Sequence, residues 1–445
     1  MLGAEAAPVI FGWDVLWVAS TLFVGSYAVI MSEQINRAIV ALLGAGLMIL
    51  LGVLNQQAAV RGVDFNTLGL LIGMMVIVAV TRKSGVFQYV AIWSAKKVDA
   101  RPWGILLMLS CVTALFSALL DNVTTVLLIV PVTLLITEEL EVKPYPYLFA
   151  TIFASNIGGT ATLIGDPPNI MIGSAANLSF NDFLLNVAPI IPVVFAATML
   201  PIYLIWRKEF VASDTARERV LSFNENEAIT DPRLLKQSMT VLVLVIACFI
   251  FAHPFQLEPA TIALAGAALL LLLENLPHSA EHQSKNVHSA FAEVEWVTIF
   301  FFVGLFIMVY GIEQAGLIKL LADRLIGLTQ GDFTTTTLTI LWSSAILSAL
   351  VDNIPFVATM IPLIKSLAPS FGGPEQIKPL WWALSLGACL GGNGSLIGAS
   401  ANLVVAGFAE RAGYPIRFVP FLLVAFPLML LSIAISSVYI YWRYL

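Results

Sequence analysis

Two apolar runs of the chain, 103–136 and 334–367, each contain an Asp-Asn pair near the middle. The first pair lies in SALLDNVTTVLLIVP and the second in SALVDNIPFVATMIP. A carboxylate in the interior of a bilayer costs at least about 2.5–3.5 kcal/mol, and it persists where it lines a pathway or relays protons. A run of this length with a polar centre predicts a re-entrant hairpin whose tip holds the Asp-Asn pair. The repetition predicts a functional position that occurs twice.

The composition places these runs in a membrane protein. Hydrophobic residues make up 59% of the 445 residues and charged residues only 11%, whereas soluble proteins contain about 25% charged residues. Many apolar runs are long enough to cross about 30 Å of hydrocarbon. We therefore expect an all-α polytopic membrane protein. The N-terminus has no basic n-region, so it predicts a first span, not a cleaved signal peptide.

The second half of the chain repeats the first. In one constant register, FNTLGLLIGMM (65–75) aligns with WVTIFFFVGLF (296–306), and both residues of the first Asp-Asn pair align with those of the second. Two positions are then inserted, after which GGTATLIGDPPN (158–169) aligns with GGNGSLIGASAN (391–402). This register predicts two repeats, 1–206 and 237–445, joined by a charged linker, 207–236.

Charge placement predicts that the second repeat is inverted. If each hairpin returns to its own side, each repeat crosses the membrane five times, which is an odd number. With the N-terminus outside, 16 of the 22 basic residues fall in inner loops, as the positive-inside rule requires. We expect an inner (plasma) membrane protein with both termini outside and the linker in the cytoplasm. Full crossings by both hairpin arms would instead make the repeats parallel.

A break is expected in the helical runs 145–177 and 378–410. In GDPPN, two adjacent prolines remove backbone donors and push the preceding residues out of helical geometry. Helices broken in corresponding places of two inverted repeats are typical of the binding site of a secondary transporter. The tips and breaks contain the candidate substrate- and ion-binding residues Asp121, Asn122, Thr124, Thr125, Asn156, Gly159, Thr160, Thr162, Asp166, Asn169, Asp352, Asn353, Asn393, Ser395 and Asn402.

Each tip carboxylate also has a structural interpretation, because Asp is a favoured N-cap and either Asp could cap the second arm of its hairpin. The two interpretations are compatible. Asp166 aligns with Ala399, and this one-sided charge predicts a role in coupling. We expect the two tips to be reached from opposite sides of the membrane.

The sequence places no basic residue at a tip or a break. Carboxylates without such a partner favour protons, metal cations or a neutral hydroxylated solute over a multiply charged anion. There is no Walker A motif, so we expect neither ATP hydrolysis by this chain nor an enzyme, although a separate ATPase subunit stays open. The three cysteines are expected to be packing residues. No cofactor and no nucleic-acid partner are expected.

The segments LLDNVTTVLLIVP, SNIGGTATLIGDPPNIMIGSAA and GGNGSLIGASANLV resemble the arsenite-efflux permease, P-protein and silicon-efflux branch of the ion transporter superfamily, which also includes citrate-transporter-like permeases. The resemblance implies a scaffold plus a mobile transport domain, an elevator movement and a homodimer. In sodium-coupled carboxylate members each tip holds Ser-Asn-Thr, whereas here Asp-Asn-Val and Asp-Asn-Ile occupy the tips. This departure favours proton coupling.

Four hypotheses follow. The first is a proton-coupled antiporter that exports a small inorganic solute such as arsenite or antimonite. The second is a Na⁺/H⁺ antiporter, and the third is a Na⁺-coupled carboxylate transporter. If sodium couples transport, the candidate ligands are Asn122, Asn156, Asn353 and Asn393. The fourth is a membrane scaffold without transport, which would keep working after both tip carboxylates were neutralised.

Overall fold

The structure is a computed structural model that describes residues 12–32, 34–251 and 257–445. The described residues are mostly helical and contain no strand. The N-terminal residues 1–11, which the sequence predicts to lead into a first span, lie outside the described ones. The first repeat folds into α1 (Val15–Met31), α2 (Arg37–Leu50), α3 (Gln56–Gly62), α4 (Phe65–Arg82), α5 (Val86–Lys97), α6 (Pro102–Leu119), α7 (Asn122–Glu139), α8 (Tyr145–Thr160), α9 (Pro167–Ala176), α10 (Phe180–Asn186) and α11 (Ile191–Trp206).

The second repeat has matching helices in the same order. Between the repeats lies α12 (Asp214–Leu221), after which the chain forms α13 (Pro232–Phe251), α14 (Pro259–Asn275), α15 (Ala280–Ala292), α16 (Trp296–Gln314), α17 (Leu317–Leu328), α18 (Phe333–Leu350), α19 (Asn353–Leu367), α20 (Lys378–Gly391), α21 (Ser400–Arg411) and α22 (Phe418–Tyr444). The first residues of α4 to α7 align with the first residues of α16 to α19, and those of α8 and α9 align with those of α20 and α21. The register read from the sequence therefore matches the helix starts themselves.

The helices pack into two groups, each built from both repeats. In the wall group, α4 packs along α14 and α2 packs along α16, with α13 and α1 beside them. In the tip group, hairpin α6–α7 packs on α8, hairpin α18–α19 packs on α20, and α9, α11, α21 and α22 complete the assembly. Contacts between α4 and α9 and between α16 and α19 join the groups.

The aligned glycines Gly73 and Gly304 explain how closely the wall helices approach. A Cβ added at Gly73 would lie 2.6 Å from the carbonyl carbon of Ala263, and one at Gly304 would lie 2.5 Å from the carbonyl carbon of Ala41. Small residues let membrane helices pack backbone against backbone. The matched glycines are therefore the contact points of α4 with α14 and of α16 with α2.

Aromatic contacts fix the direction of the first broken helix. Near the start of α8, the Phe149 ring lies 5.0 Å from Trp206 at the end of α11 and 5.1 Å from Phe421 near the start of α22. Close by, Tyr147 contacts Phe210 of the linker, with 6.1 Å between ring centroids. We call this side of the molecule the linker end.

The second broken helix begins at the opposite end. Near the start of α20, Trp382 packs edge-on against Phe183, which precedes α11, with 5.4 Å between ring centroids. At the same end the Tyr439 hydroxyl, near the end of α22, donates to the carbonyl of Asn186 at 2.9 Å. Helices α8 and α20 therefore begin at opposite ends of the molecule, which makes the repeats inverted.

The linker lies against the base of the first hairpin. Arg217 donates to the carbonyl of Asp99 just before α6, and Arg219 pairs with Glu141 just after α7 at 2.6 Å. Lys96 at the end of α5 pairs with Glu225 at 2.5 Å. Basic residues thus collect at the linker end, as the charge count predicts. The linker is shorter than predicted, because α13 begins at Pro232 and not at 237.

By length and composition, nine helices of the described residues could cross a membrane, and four of them are the hairpin arms. The apolar helices α1, α2 and α14 are shorter. The protein is therefore a multi-pass membrane protein, in which the broken helices α8–α9 and α20–α21 supply two further apolar segments.

Candidate functional site

Both tip carboxylates are helix caps. Asp121 accepts the backbone N–H of Thr124 at 2.7 Å and also the Thr124 hydroxyl. Asp352 accepts the backbone N–H of Ile354 at 3.1 Å. Each Asp ends the bend between two hairpin arms and satisfies a donor that the first turn of the second arm leaves free. The capping interpretation therefore holds, and it places each carboxylate at the hairpin tip.

Matching hydrogen bonds tie each hairpin to its own broken helix. In the first repeat the Ser117 hydroxyl donates to the carbonyl of Ser155 at 2.6 Å, and the Thr162 hydroxyl donates to Ala118 at 2.5 Å. Their aligned counterparts are Ser348 to Ala388 at 2.7 Å and Ser395 to Ala349 at 2.5 Å. Each tip is thus held against the break that the sequence pairs with it.

The two breaks are braced by amide side chains. Asn169 donates to the carbonyls of Thr160 and Thr162 at 3.0 and 2.9 Å. Asn402 makes the corresponding bonds to Gly392 and Ser395 at 2.7 and 2.8 Å. Irregular backbone inside a membrane protein is tolerated where such groups satisfy it. The side-chain nitrogens of these two asparagines are therefore fully occupied in holding the chain.

A chain of amides crosses between the repeats. Asn122 donates to Asn156 at 3.2 Å, and Asn156 donates to Asn393 at 3.0 Å and to Asn402 at 2.9 Å. Cys389 is the aligned counterpart of Asn156, and its thiol donates to Asn169 at 3.5 Å. The hydrogen bonds are therefore strong at Asn156, whereas the symmetry-related position, Cys389, makes a weak contact.

Asp166 is the most enclosed carboxylate of the site. It is fully buried, its two oxygens accept long bonds of 3.4 Å from Asn353, and the Cys389 thiol is a further weak partner. Pro167 and Pro168 follow it at the start of α9, so the first turn offers it fewer N–H donors. A buried carboxylate with weak partners is favoured when a proton or a cation neutralises it.

Both tip carboxylates lie on one cavity. A cavity of about 400 Å³ is lined by Asp121, Asp352 and the start of α16. Just before α16, Glu293 pairs with Arg82, and the backbone next to Arg82 accepts a hydrogen bond from Thr230 of the linker, so the cavity lies toward the linker end. The expectation that the tips are reached from opposite sides is therefore wrong for this state. The reason is that the second tip reaches the first break, where Asn353 contacts Asp166, so that one cavity touches both tip carboxylates.

The second tip has a basic partner that the sequence analysis missed. Arg37, the first residue of α2, donates to Asp352 at 2.8 Å and to Ser400 at 2.7 Å. The expectation that no basic residue occupies a tip is thus wrong, because Arg37 comes from a helix start that is far from the tip in sequence. A lone Arg opening an apolar run gives no local signal for such a pair.

Some polar atoms of the site have no hydrogen-bond partner. Among the described residues these include the side-chain oxygens of Asn122 and Thr125 and the side-chain nitrogen of Asn393, all buried. Free oxygens suit a cation, whereas a free nitrogen does not. Of the four candidate sodium ligands, Asn122 fits best, while the side-chain oxygens of Asn156 and Asn393 already accept hydrogen bonds.

The other candidate residues serve the local backbone. Thr160 donates to the carbonyl of Asn156 in its own helix at 2.7 Å. Gly159 packs so closely that an added Cβ would lie 2.5 Å from the carbonyl oxygen of Gly165. The described residues contain no group of three His, Cys, Asp or Glu side chains that could hold a metal ion.

The comparisons with known proteins agree with this architecture. A profile described as "Citrate transporter" (CitMHS) matches residues 27–387. The chain belongs to the citrate transporter family. An uncharacterized transporter of Mycobacterium tuberculosis is 44% identical over 432 residues, which cover 96% of this chain and 98% of that protein. The P protein of Sus scrofa is 33% identical, and the match covers 95% of this chain and 59% of that protein.

A solved structure shares the fold. The YdaH transporter of Alcanivorax borkumensis, described as having an unusual topology, aligns with a TM-score of 0.56 over 95% of this chain and 97% of that chain. Sequence identity is 14%, so this likeness concerns the fold alone. The citrate transporter family identifies this chain as a secondary transporter, and the ion transporter resemblance is confirmed.

Proposed function

We propose that this transporter is a proton-coupled antiporter that exports a small inorganic solute of the arsenite or antimonite type. The observation that carries the proposal is that Asp121 and Asp352 line one cavity and Asp166 contacts the second tip through Asn353, whereas the Arg37 guanidinium on this cavity is already paired with Asp352. The surplus negative charge favours protons or cations as the coupling species. The amide and hydroxyl groups around it suit a neutral hydroxylated solute such as As(OH)₃.

The proposed movement is an elevator step of the tip group against the wall group. The support is the packing division, in which both hairpins and both broken helices belong to one group. In this scheme a carboxylate exchanges its proton for the solute at one side of the membrane and takes up a proton at the other. No covalent chemistry is involved, so the proposal includes no enzymatic step.

We place the protein in the inner membrane as a homodimer, with the linker in the cytoplasm and both termini outside. The basic residues at the linker end support this orientation. The cavity would then face the cytoplasm, from which an exporter must load.

The test is transport in everted vesicles. An interior-acid pH gradient should drive accumulation of arsenite or antimonite, and collapsing the gradient should release it. If neither solute moves and neither sodium nor lithium relaxes the pH gradient, proton-coupled antiport is wrong. Relaxation by sodium or lithium alone would identify a Na⁺/H⁺ antiporter.

A second candidate is sodium-coupled carboxylate uptake. Two observations favour it: the unpaired oxygens of Asn122 and Thr125 suit a cation, and Arg37 could bind a carboxylate in place of Asp352. Sodium-dependent accumulation of labelled citrate or succinate in right-side-out vesicles would select this function over the first.

A further inference from the structure

Arg37 connects the two packing groups. It begins α2 in the wall group, whereas its partners Asp352 and Ser400 lie at the second tip and at the start of α21 in the tip group. Ser400 also donates to the same carboxylate oxygen at 3.0 Å. Any displacement of the tip group along the wall must therefore break this cluster.

The wall holds the guanidinium in place from the other side. Arg37 donates to the Thr298 hydroxyl at 3.3 Å, and the guanidinium carbon lies 5.0 Å from the centre of the Phe301 ring. The side chains of Arg37 and Asp352 are 26% and 15% exposed. An ion pair that is hydrogen-bonded and mostly screened from water keeps more of its strength than a surface pair.

Within the part of the chain that the structure describes, no basic side chain pairs with the first tip carboxylate. Asp121 is satisfied by Thr124, and Pro167 occupies the position equivalent to Ser400. Thr67, the counterpart of Thr298, donates to Asp64 of its own helix start at 2.6 Å. The ionic contact between wall and tip thus occurs on one side of the pseudo-twofold axis.

We propose that Arg37 is a positioning residue that latches the second tip to the wall while the cavity is open to the linker end. Asp352 must exchange the guanidinium for a proton or a coupling cation before the tip group can move. Among the described residues, the other acidic groups on this cavity are Asp121 and Glu295. The inference rests on the proposed function for the movement, but not for the identity of the solute.

The experiment measures cavity opening without any solute or gradient. Leu403, an exposed residue that lines the cavity, is replaced by cysteine in a background with Cys111→Ser and Cys248→Ser. The labelling rate with a membrane-impermeant maleimide is measured from each side of the membrane in turn. Because transport plays no part in this readout, failure of the proposed function leaves the result interpretable.

We expect Arg37→Gln to slow labelling from the linker end by about tenfold, since hydrogen bonds between charged groups are strong enough to shift a two-state equilibrium by that factor. Arg37→Lys should restore most of the rate, because the positive charge is kept. Asp352→Asn should match Arg37→Gln, and the double variant should be no slower than either single variant. Lys285→Gln, which removes an exposed ion pair with Glu281, is the control and should leave the rate unchanged.

The latch is excluded if the Arg37→Gln variant is labelled as fast as the parent. It is also excluded if the effects of Arg37→Gln and Asp352→Asn on the labelling rate multiply in the double variant. If the Arg37→Gln variant fails to fold, Ser400→Ala is the test instead, because it removes one partner of the guanidinium while keeping both charges. A two- to threefold slowing would support the latch, and an unchanged rate would overturn it.

Discussion

The two hairpin tips have nearly the same sequence but different partners. Asp121 is buried and bonded within its own helix start, whereas Asp352 is paired with Arg37 from the other packing group. Asn122 joins the amide chain, while Asn353 contacts Asp166. An internal duplication thus keeps the geometry of a site while its two halves acquire different electrostatics. Under the proposed function, the first tip would carry the proton, and the second would respond to whether its carboxylate is occupied.

Of the changes that test the difference between the two tips, neutralising Asp121 should have the largest effect. Asp121→Asn should reduce proton-coupled transport to background, because the charge is lost, while Asn caps helices about as well as Asp. The thermal stability of the purified variant should therefore change little. Asp332→Asn makes the same substitution at the cap of α18, where Asp332 accepts from Thr335 at 2.6 Å, and it should transport normally. Normal transport by the Asp121→Asn variant would show that the first tip is not part of the proton pathway.

Alanine at the paired glycines should affect the first break more than the second. A Cβ at Gly159 would lie 2.5 Å from the carbonyl oxygen of Gly165, whereas one at Gly392 would lie 3.1 Å from its nearest neighbours. Overpacking of this kind costs about 1–3 kcal/mol. Gly159→Ala should lower the unfolding temperature clearly more than Gly392→Ala.

Gly407→Ala is the matched control for these glycines. Nothing lies within 4 Å of the added Cβ, so this helical glycine should tolerate alanine or gain up to about 1 kcal/mol. Equal losses at Gly159 and Gly392 would show that the two breaks are equally tight.

The amide chain and its weak counterpart should also differ, and the smallest effect is expected at Cys389. Asn156→Ala removes three hydrogen bonds and should cost about 1–3 kcal/mol, because buried partners are left unsatisfied. Cys389→Ala removes only weak thiol contacts, such as the one of 3.5 Å to Asn169, and should cost less. Denaturation of the purified variants measures both, and a larger loss at Cys389 would reverse the asymmetry.

Regularities that occur in both repeats could be predicted from the sequence. The register that aligns the two halves also aligns the observed helix starts, and the Asp-Asn pairs lie at the hairpin bends. Arg37 could not be found this way, because its role depends on how α2 packs in space and it has no aligned equivalent at the first tip. The shared cavity could not be predicted either, since it depends on how the two tips pack against the wall group in space.

Each helix pair of the wall group joins one helix from each repeat, and this has an evolutionary consequence. Helix α4 of one repeat packs along α14 of the other, and α16 along α2, so a single repeat lacks half of each pair. An ancestral half-length gene could have built this wall only from two copies inserted in opposite orientations. Severing the present chain within 207–231 and co-expressing the halves would recreate that antiparallel assembly.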